Sequence, residues 1–213
     1  MPMKRHPTSC AVPNMRLLID GDILVYRCAF AAEKTRYLNE LHNPGSGHVE
    51  FKEFDTKKEA TDYGKRVGGV NLLWSRKDVQ PVENAIEIAK IAYRGIEDAF
   101  TSEDGTVAGT YITGAGNFRE SVSVTRKYKG NRDEQVKPIH YQAIRDLLVQ
   151  SFAAEVVEGF EADDVISHEA HALRAANLPY CVVTTDKDLD QIPGDHYNWV
   201  ARERYTITPK EAK

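Results

Sequence analysis

Apolar positions along the chain repeat with two different periods, which predict helices and strands in alternation. Apolar side chains recur every three or four residues in segments 83–100, 138–152 and 161–176, as on one face of an amphipathic helix. A looser pattern predicts a further helix over 22–34. Short apolar runs predict strands, and they lie at 16–20, 106–113, 156–157, 180–185 and 197–201. This alternation predicts an α/β fold with a mostly parallel central sheet and helices on both faces.

Residues 35–80 follow no single period, and we expect them to form an insertion or lid. Within them, 43–47 predicts a turn, 48–54 alternates weakly as a strand does, and 57–66 has the pattern of a polar helix. The first 15 residues are basic without a following apolar stretch, so that we expect a flexible leader. The remaining residues are predicted to form one domain.

Composition and charge narrow the class of protein without deciding its ligand. With 41% hydrophobic and 28% charged residues, the chain has the composition of a soluble globular protein. The net charge of −4 argues against a bulk polycation, although an acidic pocket would offset basic patches elsewhere. Three cysteines without a Cys-x-x-Cys pair indicate a reducing compartment and no disulfide framework. Because no apolar run approaches ~20 residues, no membrane span is expected.

Three acidic clusters adjoin apolar segments and form the strongest chemical signal in the chain. The first ends the strand predicted at 16–20, the second opens the helix predicted at 161–176, and the third follows the apolar run 181–183. Their members are Asp20 and Asp22, Glu161, Asp163 and Asp164, and Asp186 and Asp188. Because the carboxyl ends of parallel strands meet at one sheet edge, we expect a single pocket. Crowded carboxylates repel each other, and a divalent metal with oxygen ligands would neutralise them.

Ordinary structural roles also account for some of these acids. Acidic residues in the first turn of a helix favour its macrodipole, which explains Glu161 equally well when it is taken alone. Asp22 fits either a metal ligand or an N-cap of the following helix. Asp190 and Asp195 are expected to be surface or turn residues. Caps and turns explain all three clusters together much less well than a metal pocket does.

A basic segment lies between the strand predicted at 106–113 and the helix predicted at 138–152. Its candidate nucleic-acid-binding residues are Arg119, Arg126, Lys127, Tyr128, Lys129, Arg132 and Lys137. Clustered cations with an aromatic residue are suited to phosphates and bases. Taken alone, the segment fits a solvated surface loop equally well. Beside a carboxylate metal pocket, it favours phosphodiester hydrolysis.

Four blocks of this sequence resemble the signature blocks of the 5′ nucleases. They are Asp20-Gly21-Asp22, Tyr128-Lys129-Gly130-Asn131-Arg132, Glu161-Ala162-Asp163-Asp164 and Thr185-Asp186-Lys187-Asp188-Leu189. This superfamily includes flap endonucleases, the 5′ nuclease domain of bacterial DNA polymerase I and tailed-phage 5′→3′ exonucleases. The resemblance is closest to the phage type, and it extends over most of 16–200 with the blocks in the family's order.

The resemblance implies a PIN-like catalytic domain over 16–213, with an arch or gateway formed by the basic segment 115–137. Its expected activity is hydrolysis of DNA at or near a 5′ end or flap, and RNA in RNA–DNA hybrids is a further expected substrate. The expected location is the cytoplasm, and that of the host if the protein is phage-encoded. Such an enzyme would need no covalent intermediate and no membrane.

The resemblance also implies two Mg²⁺ or Mn²⁺ ions and assigns roles to individual residues. The first ion would be held by Asp20, Glu161, Asp163 and Asp164. The second would be held by Asp186 and Asp188, with Asp186 near both ions and therefore part of the catalytic group. Lys129 and Arg132 would complete that group by holding the scissile phosphate, and Tyr128 would stack on a base.

Two departures from the family pattern bear on these expectations. The family has an aspartate at the end of its second strand, where this chain has Gly114. The helix-three-turn-helix element of the family, which grips duplex DNA, and its further aspartate ligands have no counterpart in these 213 residues. Two alternatives therefore stay open, a PIN-type ribonuclease for single-stranded RNA and a non-catalytic nucleic-acid-binding module. A phosphatase for small molecules would leave the basic segment unexplained.

Overall fold

The computed structural model describes residues 15–42, 47–67, 70–101, 106–116 and 136–212. In chain order, its first elements are β1 (Arg16–Asp20), α1 (Gly21–Ala31), β2 (Glu33–His42), β3 (Val49–Phe54), α2 (Lys57–Val67), β4 (Val70–Val79), α3 (Val82–Asp98) and β5 (Val107–Thr113). The later elements are α4 (Tyr141–Ser151), β6 (Glu155–Val157), α5 (Ala162–Ala175), β7 (Tyr180–Val183), a 3₁₀ helix (Lys187–Gln191), β8 (Gly194–Asn198) and β9 (Glu203–Ile207).

These elements divide into two compact units. The first unit comprises Met1–Leu24, Ile91–Gln135 and Arg145–Lys213, and the second comprises Val25–Lys90 and Val136–Ile144. The predicted division into a leader and one domain stays a prediction, since most of the leader lies outside the described residues.

A six-stranded sheet forms the centre of the first unit. Its strand order is β6-β5-β1-β7-β8-β9. The neighbouring strands are parallel from β6 to β8, and β9 pairs antiparallel with β8. The order places β1 between β5 and β7, so that the carboxyl ends of these three strands meet at one edge. The predicted α/β fold with a mostly parallel central sheet is confirmed.

Helices cover both faces of this sheet, as alternate side chains of β5 show. Tyr111 belongs to the buried cluster that α5 forms on one face with β1 and β7. The preceding residue, Thr110, shares a hydrogen bond of 2.9 Å with the hydroxyl of Tyr93 in α3. Tyr93 in turn stacks on Phe152 at a ring-centroid distance of 4.0 Å. Because successive strand residues point to opposite faces, α3 and α5 lie on opposite sides of the sheet.

The second unit contains an antiparallel sheet in the order β3-β2-β4. Helix α2 packs on one face, where the amide of Asn39 donates a hydrogen bond of 2.8 Å to the carbonyl oxygen of Ala60. Phe51 and Trp74 remain largely exposed. The sheet accounts for the segment 35–80 that followed no single period, and its role as an insertion or lid stays a prediction.

Several predicted boundaries are wrong, and local contacts explain why. The helix predicted over 22–34 ends at Ala31, since β2 begins two residues later. The strand predicted at 197–201 ends at Asn198, whose side-chain oxygen accepts hydrogen bonds from the backbone N–H groups of Val200 and Ala201. These bonds turn the chain into β9, a strand that was not predicted, and β2 and β4 were missed as well.

Two cysteines lie in the described ranges. Cys28 and Cys181 are both buried, and they are not joined in a disulfide. Burial raises the pKa of the Cys28 thiol to about 12, so that it is a poor nucleophile at neutral pH. Among the helices of the described ranges, none combines the length and the apolar character that crossing a membrane requires.

Candidate metal centre and nucleic-acid contacts

Asp20 ends β1 and is buried, as is Glu161 of the same candidate site, with only 7% of each residue exposed. One carboxylate oxygen of Asp20 accepts a hydrogen bond of 3.1 Å from the backbone N–H of Ile23, and the other accepts one of 2.9 Å from the hydroxyl of Thr184. The pKa of Asp20 is raised to about 6, mainly by burial and less by the nearby charges of Asp22 and Asp186, while the two hydrogen bonds oppose the shift. A neighbouring cation would therefore stabilise the ionised carboxylate of Asp20.

The sharp turn from β1 into α1 depends on Gly21. A Cβ atom at this position would lie 2.6 Å from the carbonyl oxygen of Tyr111 and 2.7 Å from the side chain of Ile112. Only glycine allows β5 to approach so closely. The Asp-Gly-Asp sequence thus keeps Asp20 beside Thr184 after β7 and lets Asp22 reach the carboxyl end of β5.

Asp22 reaches across to the end of β5. Its carboxylate accepts a hydrogen bond of 3.1 Å from the backbone N–H of Thr113 and a second from the hydroxyl of the same residue. The N-cap of α1 is Asp20, because the N–H of Ile23 bonds to Asp20. The N-cap alternative for Asp22 is therefore wrong.

Glu161, Asp163 and Asp164 come together at the start of α5. Each offers one carboxylate oxygen, and these three atoms lie within 4.8 Å of one another. Glu161 is buried, Asp164 is half-buried and Asp163 is exposed. Asp164 also accepts a hydrogen bond of 3.2 Å from the backbone N–H of Glu161, so that it helps to cap the helix. The three acids therefore combine a helix-capping role with an arrangement that could hold a metal ion.

Asp186 and Asp188 lie at the start of the 3₁₀ helix and are both exposed. The carboxylate of Asp186 accepts a hydrogen bond of 3.0 Å from the backbone N–H of Asp188. Asp186 lies near enough to Asp20 to raise its pKa. Within the described part of the chain, neither residue joins a group of three ligand atoms as tight as the one at α5.

Two threonine hydroxyls tie the three acidic clusters together. Thr184 donates to Asp20 and accepts a hydrogen bond of 3.0 Å from the backbone N–H of Asp186. Thr113 donates to Asp22 and accepts one of 2.9 Å from the backbone N–H of Ala162. Sequence analysis missed both residues, although Thr113 ends one predicted strand and Thr184 lies near the end of another, two residues before Asp186. The hydroxyls link all three clusters at the carboxyl edge of the sheet.

Asp190 and Asp195 have the structural roles expected of them. Asp190 accepts a hydrogen bond of 3.0 Å from the hydroxyl of Tyr205. Asp195 accepts one of 2.7 Å from the hydroxyl of Thr206. Both bonds hold the end of the sheet near β9, so neither residue joins the candidate metal centre.

Most of the predicted nucleic-acid-binding residues lie outside the described residues, namely Arg119, Arg126, Lys127, Tyr128, Lys129 and Arg132. Lys137 lies within them, in the second unit. Its ammonium group is 4.5 Å from the ring centroid of Tyr141, which packs at 5.0 Å against Tyr26, and Phe30 stacks beyond Tyr26. Sequence analysis missed this aromatic group, whose one signal was the spacing of Tyr26 and Phe30 on one helical face.

Comparison with known protein families shows what the chain is similar to. Residues 74–213, more than half of the chain, match the family described as 5′-3′ exonuclease, N-terminal resolvase-like domain. The chain belongs to this family. The predicted 5′ nuclease superfamily is thereby confirmed, and the chain is a nuclease domain of that superfamily. The match includes the acidic residues of α5 and of the 3₁₀ helix, and Asp20 precedes it. No curated protein matched the chain.

Proposed function

We propose that this domain is a metal-dependent 5′→3′ exonuclease or flap endonuclease that hydrolyses the phosphodiester bonds of DNA, and of RNA in hybrids. The observation that supports the proposal is that two threonine hydroxyls link three acidic clusters along one sheet edge, in a domain of this family. Nucleic acid with a 5′ end or flap is its proposed substrate.

The residues at this edge suit Mg²⁺ or Mn²⁺. Their donor atoms are carboxylate oxygens, which hard divalent cations prefer. Burial disfavours the ionised form of Asp20 and raises its pKa. A cation beside the carboxylate would favour the ionised form and offset this effect. For a first ion we propose the ligands Asp20, Glu161, Asp163 and Asp164. For a second we propose Asp186 and Asp188, and the proximity of Asp186 to Asp20 supports a shared role for Asp186.

The chain's own groups would then orient and stabilise the reacting phosphate. Divalent cations in such sites polarise phosphoryl oxygens and lower the pKa of bound water. The N–H of Ile23 and the hydroxyl of Thr184 hold Asp20 in one orientation, ready to serve as a ligand. Lys129 and Arg132 would hold the scissile phosphate and stabilise its transition-state charge. Hydrolysis would leave a 5′-phosphate and a 3′-hydroxyl.

A flap-cleavage assay tests this proposal. A 5′-labelled flap duplex and a matched RNA oligomer would be incubated with the protein in Mg²⁺, Mn²⁺ or EDTA. We expect metal-dependent release of short 5′ products from the flap. Cleavage of the RNA alone would favour a single-strand ribonuclease. Binding without cleavage at any metal concentration would contradict the proposed activity and favour a binding module.

A further inference from the structure

Arg145 places a half-buried cation at the carboxyl end of β5. The residue lies in the part of α4 that belongs to the first unit. Its Nη1 atom donates a hydrogen bond of 2.8 Å to the carbonyl oxygen of Thr113, the last residue of β5. A guanidinium carries several N–H donors in a planar fork, and this bond is the one that Arg145 makes within the described residues. The group is therefore anchored at the strand end while its other donors remain available to a ligand.

The helix that carries Arg145 is held firmly against the first unit. Leu148, one turn farther along α4, is buried, and Phe152, directly after the helix, stacks on Tyr93 of α3 with ring centroids 4.0 Å apart. Tyr93 in turn shares its hydrogen bond of 2.9 Å with Thr110 of β5. The position of Arg145 beside the end of β5 is thus set by core packing as well as by its own bond.

The charge of Arg145 is not neutralised by the acids at the same edge. Thr113, which accepts the bond from Arg145, also donates its hydroxyl to Asp22 and accepts a hydrogen bond from the backbone N–H of Ala162. One residue therefore connects the guanidinium with two acidic clusters. Nevertheless, Arg145 forms no ion pair with a carboxylate in the part of the chain that the structure describes. Its bond to a neutral carbonyl leaves the positive charge free to attract an anion, and a phosphate fits the planar fork of an arginine.

We infer that Arg145 binds a backbone phosphate of the nucleic-acid strand that enters the metal centre. This inference rests on the proposed function, in which Lys129 and Arg132 act on the scissile phosphate. The acidic edge repels a polyanion, and a fixed cation at the end of β5 lowers that electrostatic barrier and positions the strand. Since the contact is equally strong before and during the reaction, it contributes to substrate binding rather than to the rate of the chemical step.

Substrate binding and cleavage, measured separately, test this role. A fluorescein-labelled 5′-flap duplex is titrated with protein in EDTA at several salt concentrations, and binding is followed by fluorescence anisotropy. Steady-state cleavage of the same flap in Mg²⁺ gives KM and kcat. Arg145→Gln removes the charge but keeps an amide donor, and Arg145→Lys keeps the charge. Mn²⁺ calorimetry and urea unfolding report whether the metal centre and the fold remain intact.

Arg174→Gln is the matched control for the loss of one positive charge. Arg174 is exposed and lies in the last turn of α5, about 18 Å along the helix from the acids at its start. At this distance salt screens most of its effect on a strand at the metal centre. We therefore expect Arg174→Gln to change flap affinity less than about twofold.

Arg145→Gln should weaken flap binding roughly tenfold and reduce the slope of log affinity against log salt by about one. KM should rise by a similar factor while kcat changes less than about twofold. Mn²⁺ affinity and stability in urea should stay near the wild-type values. Arg145→Lys should keep the salt slope and recover part of the affinity, because an ammonium retains the charge but not the planar fork.

Three results would overturn the inference in different ways. If the wild type binds the flap and Arg145→Gln binds it as Arg174→Gln does, the inference fails and the proposed function stands. If Arg145→Gln loses Mn²⁺ affinity or stability along with flap binding, Arg145 only supports the structure and the inference fails as well. If the wild type neither binds nor cleaves the flap, the proposed function fails and this inference with it.

Discussion

Replacing Asp20 by asparagine is expected to stabilise the metal-free protein, although Asp20 belongs to its candidate site. Burial raises the pKa of Asp20 from 3.8 to about 6. This difference of roughly two pKa units corresponds to about 3 kcal/mol against the ionised form in the folded chain. Asparagine carries no charge, and its amide can replace the contacts to Ile23 and Thr184 at a cost of about 1 kcal/mol. Asp20→Asn should therefore gain about 2 kcal/mol at pH 8.

The stability difference between the wild type and Asp20→Asn should depend on pH. A carboxyl group with a higher pKa in the folded than in the unfolded chain binds more protons when folded. Wild-type stability therefore falls as pH rises from about 4 to about 6, and the whole penalty is present above pH 6. The advantage of Asp20→Asn should accordingly disappear near pH 4.

Urea denaturation in EDTA at pH 4 and pH 8 measures this difference. Asp195→Asn, which changes an exposed acid bonded to the hydroxyl of Thr206, is the matched control and should show no such gain. Adding Mn²⁺ should stabilise the wild type more than Asp20→Asn, since a ligand stabilises the state that binds it. A variant no more stable than the wild type at pH 8, or a gain that is equal at both pH values, would refute the reasoning.

Three further predictions concern the same edge of the sheet. Asp186→Asn should abolish flap cleavage with an unchanged circular dichroism spectrum, whereas Asp195→Asn should cleave normally; wild-type rates in Asp186→Asn would exclude its assignment as a metal ligand. Gly21→Ala should lose about 1–3 kcal/mol in urea denaturation, because its Cβ would lie 2.6 Å from the carbonyl oxygen of Tyr111; unchanged stability would contradict that contact. Mn²⁺ affinity should fall as pH drops below about 6, where Asp20 is protonated, and a constant calorimetric affinity between pH 5 and pH 8 would contradict this role.

The sequence predicted best those helices and strands whose apolar residues are buried in the core. The strand β1 is buried along most of its length, and α3 buries Ala85, Ala89 and Ile96 at helical spacing. In both elements the apolar positions in the sequence are the positions that contact the core, so the spacing of apolar residues reveals the type of element. The α/β fold and its strand-end acids could therefore be predicted from the sequence.

The strands of the second unit could not be predicted in the same way. In β2, Asn39 is the one buried residue. In β4, Leu72, Leu73 and Trp74 are exposed. Cross-strand contacts take the place of burial, as in the hydrogen bond of 2.8 Å from the indole of Trp74 to Glu40. Arg36 contributes ion pairs to Asp55 and Glu53 across the same sheet. Such pairs depend on strand register, which no local pattern reveals.

The acidic residues of the candidate site could be predicted from the sequence, but the neutral hydroxyl groups that hold them in place could not. Thr113 and Thr184 each use one hydroxyl as both donor and acceptor, and each thereby fixes one carboxylate while holding the backbone of the next acidic cluster. Such a group adds no charge to a crowded acidic edge, whereas a lysine or arginine in its place would pair with the carboxylates and compete with a cation for them. Neutral hydroxyls therefore orient the acids without satisfying their charge. Burial, and to a smaller extent the charges of Asp22 and Asp186, raise the pKa of Asp20, and a divalent cation would relieve this cost of ionisation on binding.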